Sequence, residues 1–226
     1  MTDTARSGRT PGISVIFDID GTLVQSVELD DTIFIQVLTE ILGKITIHRD
    51  WNHYRHVTDQ GIVAQILAEH GIADTSTVLN AVKNRFTHLL KTSLATTPCP
   101  PVPGATEMLR ELQATPALRI GLATGAWREP ALAKLAGAGI SIENLVLSSS
   151  DDHHARTEIM KRSLARCGGS HERALYVGDG LWDKKAAKEL GWGFIAVGPR
   201  LKGRHPYWIN DFLDPSWPDI IYRAIK

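Results

Sequence analysis

One ten-residue stretch near the amino terminus constrains the fold of this chain more than any other. Residues 14–23 include a Val-Ile-Phe run at residues 15–17, which is short, apolar and typical of a buried β-strand. The strand leads into Asp18 and Asp20, and the two-residue period of an extended chain places both carboxylates on one face. Gly21 allows the backbone to turn, and Thr22 adds a hydroxyl. Acids, a glycine and a hydroxyl at a strand's carboxyl end suit a hard cation and a phosphate group.

From residue 104 onward, helical and extended patterns alternate. This alternation predicts an α/β fold, with a doubly wound parallel sheet that carries helices on both faces. In such sheets the reactive groups gather at the carboxyl ends of the strands. The predicted strands are residues 118–123, 145–147, 174–177 and 194–197, and the predicted helices are residues 107–113, 129–138, 157–166 and 183–190.

The segment between the first strand and this alternating region has a different pattern. Its apolar residues recur mostly at helical spacing, and no convincing strand pattern occurs between residues 22 and 98. The proline-rich residues 98–104 cannot continue a helix and predict a stiff linker back to the main domain. The predicted organisation is a flexible tail, an α/β core in two segments and an inserted α-helical cap domain: residues 1–12, residues 13–23 with 97–226, and residues 24–96.

Composition narrows the classes of protein to which the chain can belong. Its 226 residues carry 25 Lys and Arg against 25 Asp and Glu, so bulk binding to nucleic acid or to an anionic membrane is not expected. Cys99 and Cys167 lie far apart and match no metal or redox spacing. No stretch has a secretory signal's pattern or a membrane span's length. We expect a cytoplasmic enzyme, either a monomer or a homodimer.

Acids and a hydroxyl sit at the ends of three predicted strands: Asp18 and Asp20 after the first, Thr124 after the second, and Asp179 with Asp183 later. The combination resembles the haloacid dehalogenase-like (HAD) hydrolase superfamily, in particular its phosphatases with a helical cap inserted after the first strand, such as phosphoglycolate phosphatase. The Asp-Ile-Asp-Gly-Thr motif that starts at Asp18 and the Gly-Asp-Gly-Leu-Trp-Asp motif that ends at Asp183 carry the resemblance. It covers nearly the whole chain.

The resemblance implies a role for each of these residues. Asp18 would be the nucleophile that forms an aspartyl-phosphate, and Asp20 would be the general acid–base. Mg²⁺ would be the cofactor, held by Asp18, Asp179 and the backbone carbonyl of Asp20. The hydroxyl of Thr124 and the backbone N–H of Gly125 would bind the transferring phosphoryl oxygens.

Two further positions keep alternatives open. The family usually supplies a lysine followed by proline to neutralise the phosphate, and no such pair follows residue 150. Arg156, in the predicted loop before a helix, is the better candidate because a guanidinium can bind phosphate at two points; Lys161 is the rival. Asp183 would either support the metal or cap the helix that begins near it.

The substrate would be a small phosphorylated metabolite, such as phosphoglycolate or a sugar phosphate, covered by the cap. Thr22, His53 and His56 are candidate substrate contacts, although the histidines could equally be surface or packing residues. Dehalogenase-type members lack the second acid, so Asp20 favours phosphomonoester hydrolysis. The alternatives are a sugar phosphomutase and a degenerate protein that binds a phosphorylated ligand without turnover. The polar-aromatic segment that supplies the histidines also contains Trp51, Tyr54, Thr58 and Asp59.

Overall fold

The computed structural model describes residues 12–225, which contain a six-stranded, fully parallel sheet. The strands lie side by side in the order β3-β2-β1-β4-β5-β6. The chain therefore builds outward from β1 in one direction and then returns to build from β1 in the other, which confirms the predicted doubly wound α/β fold. In chain order the strands are β1 (Ile13–Phe17), β2 (Leu118–Ala123), β3 (Val146–Ser148), β4 (Ala174–Gly178), β5 (Gly193–Val197) and β6 (Trp208–Ile209).

Eight α-helices accompany the sheet within the described residues. Three of them, α1 to α3, are inserted before α4 on the path from β1 to β2. The segments leading into and out of this insertion pair with each other, because Gln25 N–H donates to Pro100 and Val102 N–H donates to Leu23, both over 2.9 Å. The helices are α1 (Val27–Leu42), α2 (Asp59–Glu69), α3 (Thr75–Thr96), α4 (Ala105–Gln113), α5 (Arg128–Gly137), α6 (Arg156–Arg166), α7 (Leu181–Glu189) and α8 (Trp217–Ala224).

The central strands are buried on both faces, which explains their unbroken apolar sequence. Val15 and Phe17 of β1 face one apolar layer, and Ile16 between them faces the other. This alternation follows from the two-residue period of a strand. The larger layer extends from the sheet into the inserted helices. Among residues 12–225 no helix has both the length and the apolar character that crossing a bilayer requires.

The structure differs from the sequence-based expectation mainly at element boundaries. The sheet has a sixth strand, β6, which pairs through Trp208 with Ala196 of β5 and is too short to show a periodic pattern. Helix α2 begins at Asp59, where the Thr58 hydroxyl caps it by accepting the Gly61 N–H at 3.0 Å. Helix α7 begins two residues earlier than expected. The predicted tail lies almost wholly outside the described residues.

Candidate active site

Three strand ends meet beside β1, where the direction of strand order changes. Asp18 follows β1, Thr124 follows β2 and Asp179 follows β4. Backbone hydrogen bonds to neighbouring strands extend into these positions, since Asp18 N–H donates to Val177 at 2.9 Å and Thr124 N–H donates to Ser148 at 3.0 Å. The side chains of Asp18 and Thr124 are almost completely buried. Parallel topology thus assembles the residues that the sequence motifs singled out.

A compact group of carboxylates forms the floor of this region. Asp18, Asp179 and Asp183 each contribute an oxygen, and these oxygens lie within 4.8 Å of one another. Burial raises the pKa of Asp179 to about 7 and that of Asp183 to about 6. Burial and the nearby Asp183 charge raise the pKa of Asp18 well above its ordinary value. A positive charge between the three carboxylates would therefore stabilise their ionised forms.

The donor set fits Mg²⁺. Oδ1 of Asp179 is buried and accepts no hydrogen bond, Oδ1 of Asp183 is buried with a cation beside it, and carboxylate oxygens are the ligands that Mg²⁺ prefers. Asp183 also caps α7, because its Oδ2 accepts the Gly180 N–H at 2.9 Å. Both alternatives considered for Asp183 are therefore compatible with its geometry. The Asp20 carboxylate is not part of this group, and its Oδ1 instead contacts Ser26 and Lys134.

Arg156 brings a positive charge into the carboxylate group. It is the first residue of α6, and its Nη1 lies 2.9 Å from Asp183 Oδ1 and 3.3 Å from Asp18 Oδ1. Lys161, the rival candidate, instead pairs with Glu158 at 2.7 Å on the exposed side of the same helix. Tyr176, which the sequence analysis missed, lies 3.3 Å from Nη1 through its hydroxyl. Of the two candidate cations, Arg156 is therefore the one that lies against the buried carboxylates.

The second acid has a separate environment. Oδ1 of Asp20 accepts a 2.5 Å hydrogen bond from Ser26 Oγ and lies 2.5 Å from Nζ of Lys134. Oδ2 has a longer contact, 3.5 Å to Thr124 Oγ1. Lys134 is fully buried and also donates to Asp30 at 2.5 Å. Burial alone would raise the pKa of Asp20, but the Lys134 charge and these hydrogen bonds hold it below its ordinary value.

Sequence reasoning missed Lys134, although a signal for it exists. The buried face of α5 includes Ala131 and Leu135 as well as Lys134. A lysine within such an apolar stripe is unusual, because an uncompensated ammonium is strongly disfavoured in a protein interior. Its presence there indicates carboxylate partners elsewhere in the chain. Which carboxylates these are, Asp20 and Asp30, depends on packing between distant segments.

A cavity of about 100 Å³ opens beside Asp18 and Asp20. Its floor includes Thr124, Gly125 and Arg156 from the sheet side. The inserted helices and the segment between α1 and α2 form much of its wall, which combines aromatic side chains with carboxylates: Asp30, Asp31, Phe34, Trp51, Asp59 and Phe86.

Arg200 lies at the margin of this cavity, and the sequence analysis did not identify it. It pairs with Asp179 Oδ2 at 2.7 Å and lies over the ring of Trp182, 5.3 Å from its centroid. Gly125 has a steric reason to be glycine, because a Cβ there would lie 2.9 Å from the Val57 carbonyl and would overlap Arg156 Nη2. The close approach of Arg156 to the strand end therefore depends on that glycine.

The remaining predicted substrate contacts do not line the cavity. His53 is exposed, and its ring stacks on His48 with centroids 3.6 Å apart. His56 lines a neighbouring groove and lies against His154, with centroids 4.9 Å apart. Thr22 is fully buried within the turn, and its hydroxyl has no hydrogen-bond partner. These three residues therefore stand apart from the group formed by Asp18, Asp20, Thr124 and Arg156.

The structure is thus a doubly wound α/β fold with a group of buried carboxylates at the carboxyl ends of its central strands. The sequence model of haloacid dehalogenase-like hydrolases matches residues 14–191, and the chain belongs to that family. This finding confirms the resemblance drawn from the sequence motifs. Among curated proteins, none matches this chain.

Solved structures of low sequence identity share the fold. CbbY from Rhodobacter sphaeroides, in complex with phosphate, is 18% identical with a TM-score of 0.68, over 90% of this chain and 96% of that one. A β-phosphoglucomutase from Clostridium difficile is 14% identical with a TM-score of 0.70, over 93% and 96%. A predicted phosphoglycolate phosphatase from Haemophilus somnus is 18% identical with a TM-score of 0.60, over 92% and 97%.

Proposed function

We propose that this protein is a Mg²⁺-dependent phosphomonoester hydrolase that forms an aspartyl-phosphate on Asp18. The proposal rests on one observation, the convergence of Asp18, Asp20, Thr124 and Arg156 beside a cavity at the strand ends. Each of these groups matches a requirement of phosphoryl transfer: a nucleophile, an acid–base, a hydrogen-bond donor and a neutralising cation.

In the first step, a carboxylate oxygen of Asp18 attacks phosphorus, and the bond between phosphorus and the leaving oxygen breaks. Asp20 gives its proton to that oxygen, so the product departs as an alcohol. Arg156, Thr124 and the Gly125 N–H bind the non-bridging oxygens during transfer. Arg156 lies 3.3 Å from Asp18 in the free protein, which supports its assignment to an incoming phosphoryl group.

In the second step, Asp20 is ionised and takes a proton from water. The water oxygen attacks phosphorus, and the bond to Asp18 breaks to release inorganic phosphate. The lowered pKa of Asp20, which Lys134 holds down against the effect of burial, suits the ionised form that this step requires. The proton that Asp20 gives to the leaving oxygen in the first step leaves it ionised for the second step, and the proton that it takes from water restores the acid for the next turnover.

Asp18, Asp179 and the backbone carbonyl of Asp20 would hold Mg²⁺, with Asp183 in support. When bound, the ion neutralises charge on the phosphoryl oxygens and on the carboxylate group. Oδ1 of Asp179, buried without a hydrogen-bond partner, supports this assignment. Arg200 already occupies the other oxygen of Asp179.

Residues 24–96 would act as a cap domain over a small substrate. The paired segments at both ends of the insertion are suited to a hinge, and α1 contributes Asp30, Asp31 and Phe34 to the cavity wall. A volume of about 100 Å³ favours a small phosphorylated metabolite over a phosphoprotein or a nucleic acid. The carboxylates in the wall disfavour a leaving group with a second phosphate, because like charges repel.

The decisive experiment measures inorganic phosphate released from a panel of small phosphomonoesters, with Mg²⁺ and with a chelator. Three proteins are compared: wild type, Asp18→Asn and the matched control Asp219→Asn, whose carboxylate is exposed on α8. We expect metal-dependent release that Asp18→Asn abolishes and Asp219→Asn preserves. Isomerisation of a sugar phosphate without phosphate release would identify a phosphomutase. Saturable binding without turnover would identify a degenerate binding protein.

A further inference from the structure

Lys134 is a fully buried cation that makes no contact with substrate in the proposed reaction. Its ammonium lies 2.5 Å from Asp20 Oδ1 and 2.5 Å from Asp30 Oδ2. Desolvating an ammonium carries a large free-energy penalty, so a lysine persists in such a place only when charged partners compensate it. The two carboxylates provide this compensation, and one of them is the proposed acid–base.

The two oxygens of the Asp20 carboxylate are unequally occupied. Oδ1 has close contacts with Lys134 and Ser26, each at 2.5 Å, whereas the hydrogen bond between Oδ2 and Thr124 is long, at 3.5 Å. A carboxylate held at one oxygen by two short contacts cannot rotate freely about its Cβ–Cγ bond. Oδ2 is therefore the oxygen left available for proton exchange.

Asp30 fixes Lys134 from the other side. It belongs to α1 of the insertion, whereas Lys134 belongs to α5 of the sheet domain. Turning the ammonium toward either carboxylate alone would leave the other carboxylate without its cation. The arrangement thus holds the ammonium between two anchored acids and ties the position of Asp20 to the docking of α1.

We propose that Lys134 is a positioning residue, which together with Asp30 fixes the Asp20 carboxylate so that Oδ2 faces the phosphoryl group. The inference rests on the proposed function and adds to it the residue that orients the acid–base. The proton transferred to the leaving oxygen in the first step is then the one carried by Oδ2. In the second step Oδ2 accepts the proton from water.

The test compares Lys134→Met with wild type on two esters in single-turnover experiments. Release of an alkyl leaving group requires protonation, whereas release of 4-nitrophenolate does not. If Lys134 orients Asp20, first-turnover release of the alkyl group falls by about 100-fold, the scale of general acid–base catalysis, while release of nitrophenolate falls by less than about 10-fold. The exposed Lys188→Met is the matched control and should leave both rates unchanged.

A purely structural role would lower both rates together, and that outcome would overturn the inference while leaving the proposed function intact. If wild type releases neither product, the proposed function itself fails.

Asp30→Asn provides the second variant, in case Lys134→Met does not fold. It keeps the lysine but removes the negative charge of one of its two partners. We therefore expect release of the alkyl group to fall more than release of nitrophenolate, by a smaller factor than in Lys134→Met. Equal loss on both esters in Asp30→Asn would also contradict the proposal.

Discussion

At the scale of single residues, the site depends on which long side chains can reach the buried carboxylates. Arg156 reaches Asp18 and Asp183 from the first position of α6, where its side chain is directed toward the strand ends. Lys161 lies on the same helix but more than one turn further along, and it pairs with Glu158. Both residues carry the same charge, so what distinguishes them is the position on α6 from which each side chain extends.

Replacement of each cation separately tests this distinction. We expect Arg156→Met to lower kcat for phosphomonoester hydrolysis by roughly 100-fold or more, because it removes a charge-stabilising contact to the phosphoryl group. Lys161→Met should remain within about twofold of wild type, since a surface ion pair has little influence on the interior. Steady-state kinetics of the two variants provide the measurement. A larger loss in Lys161→Met would reverse the assignment.

Gly21 provides a second prediction at this scale. Its φ of 74° lies in the left-handed region, and a Cβ at this position would overlap Asp179 Oδ2. Gly21→Ala should lower the free energy of unfolding by about 1–2 kcal/mol and raise the Mg²⁺ concentration needed for half-maximal activity. Gly168→Ala is the matched control, with φ of 69° and no atom within 4 Å of its Cβ. It should lose stability without changing the Mg²⁺ dependence.

At the scale of elements, Asp152 joins three parts of the sheet edge. Its Oδ2 accepts from the guanidinium of Arg128 at 2.9 Å and from Ser149 N–H at 2.8 Å, and its Oδ1 accepts from Arg166 at 2.6 Å. It therefore connects the start of α5, the end of α6 and the loop after β3. Partial burial would raise its pKa, but the Arg166 hydrogen bond and the other contacts lower it to about 2.

This lowered pKa predicts a pH-dependent contribution to stability. A carboxyl whose folded pKa is below its unfolded value of 3.8 stabilises the protein when ionised, and the stabilisation is lost as pH falls toward about 2. Asp152→Asn should therefore lower the free energy of unfolding at pH 7 by about 1 kcal/mol, because solvent screens the partly exposed arginine partners. The difference from wild type should shrink between pH 4 and pH 2 in urea titrations. A difference independent of pH would contradict the ionic explanation.

At the scale of the whole molecule, an aromatic cluster joins the inserted helices to the sheet domain. Phe34 of α1, Phe86 of α3 and Trp127 at the start of α5 contact one another, with ring centroids 5.6–6.1 Å apart. Phe86 and Trp127 are almost completely buried. Because this packing crosses between the two parts of the chain, their unfolding should be coupled.

Truncation of Phe86 tests that coupling. Phe86→Ala should lower the free energy of unfolding by about 3–5 kcal/mol, through lost burial and a residual cavity. Phe86→Leu, which fills much of the space, should lower it by less than about 1.5 kcal/mol. Tryptophan fluorescence and far-UV circular dichroism should report the same urea midpoint in each protein. Two separated transitions in wild type would show that the insertion unfolds independently.

The sequence alone determined the fold class, the helical nature of the insertion and the core of the candidate site. Alternation of short apolar runs with helical patterns is a local property, so it is visible without a structure. Parallel topology then requires the residues after β1, β2 and β4 to meet, which brings Asp18, Asp20, Thr124 and Asp179 together. Helical spacing of apolar residues, which is also local, predicted that the insertion is built of helices.

Only the tertiary structure decided which other side chains enter the site. Lys134 reaches Asp20 across more than 100 residues of sequence, and Arg200 reaches Asp179 from beyond β5. Conversely, the fold leaves His53 on the surface, which is one of the two alternatives that its sequence context left open. The reach of a long side chain depends on how whole helices pack against the sheet. That packing comes from the sum of many apolar contacts, which no local sequence pattern encodes.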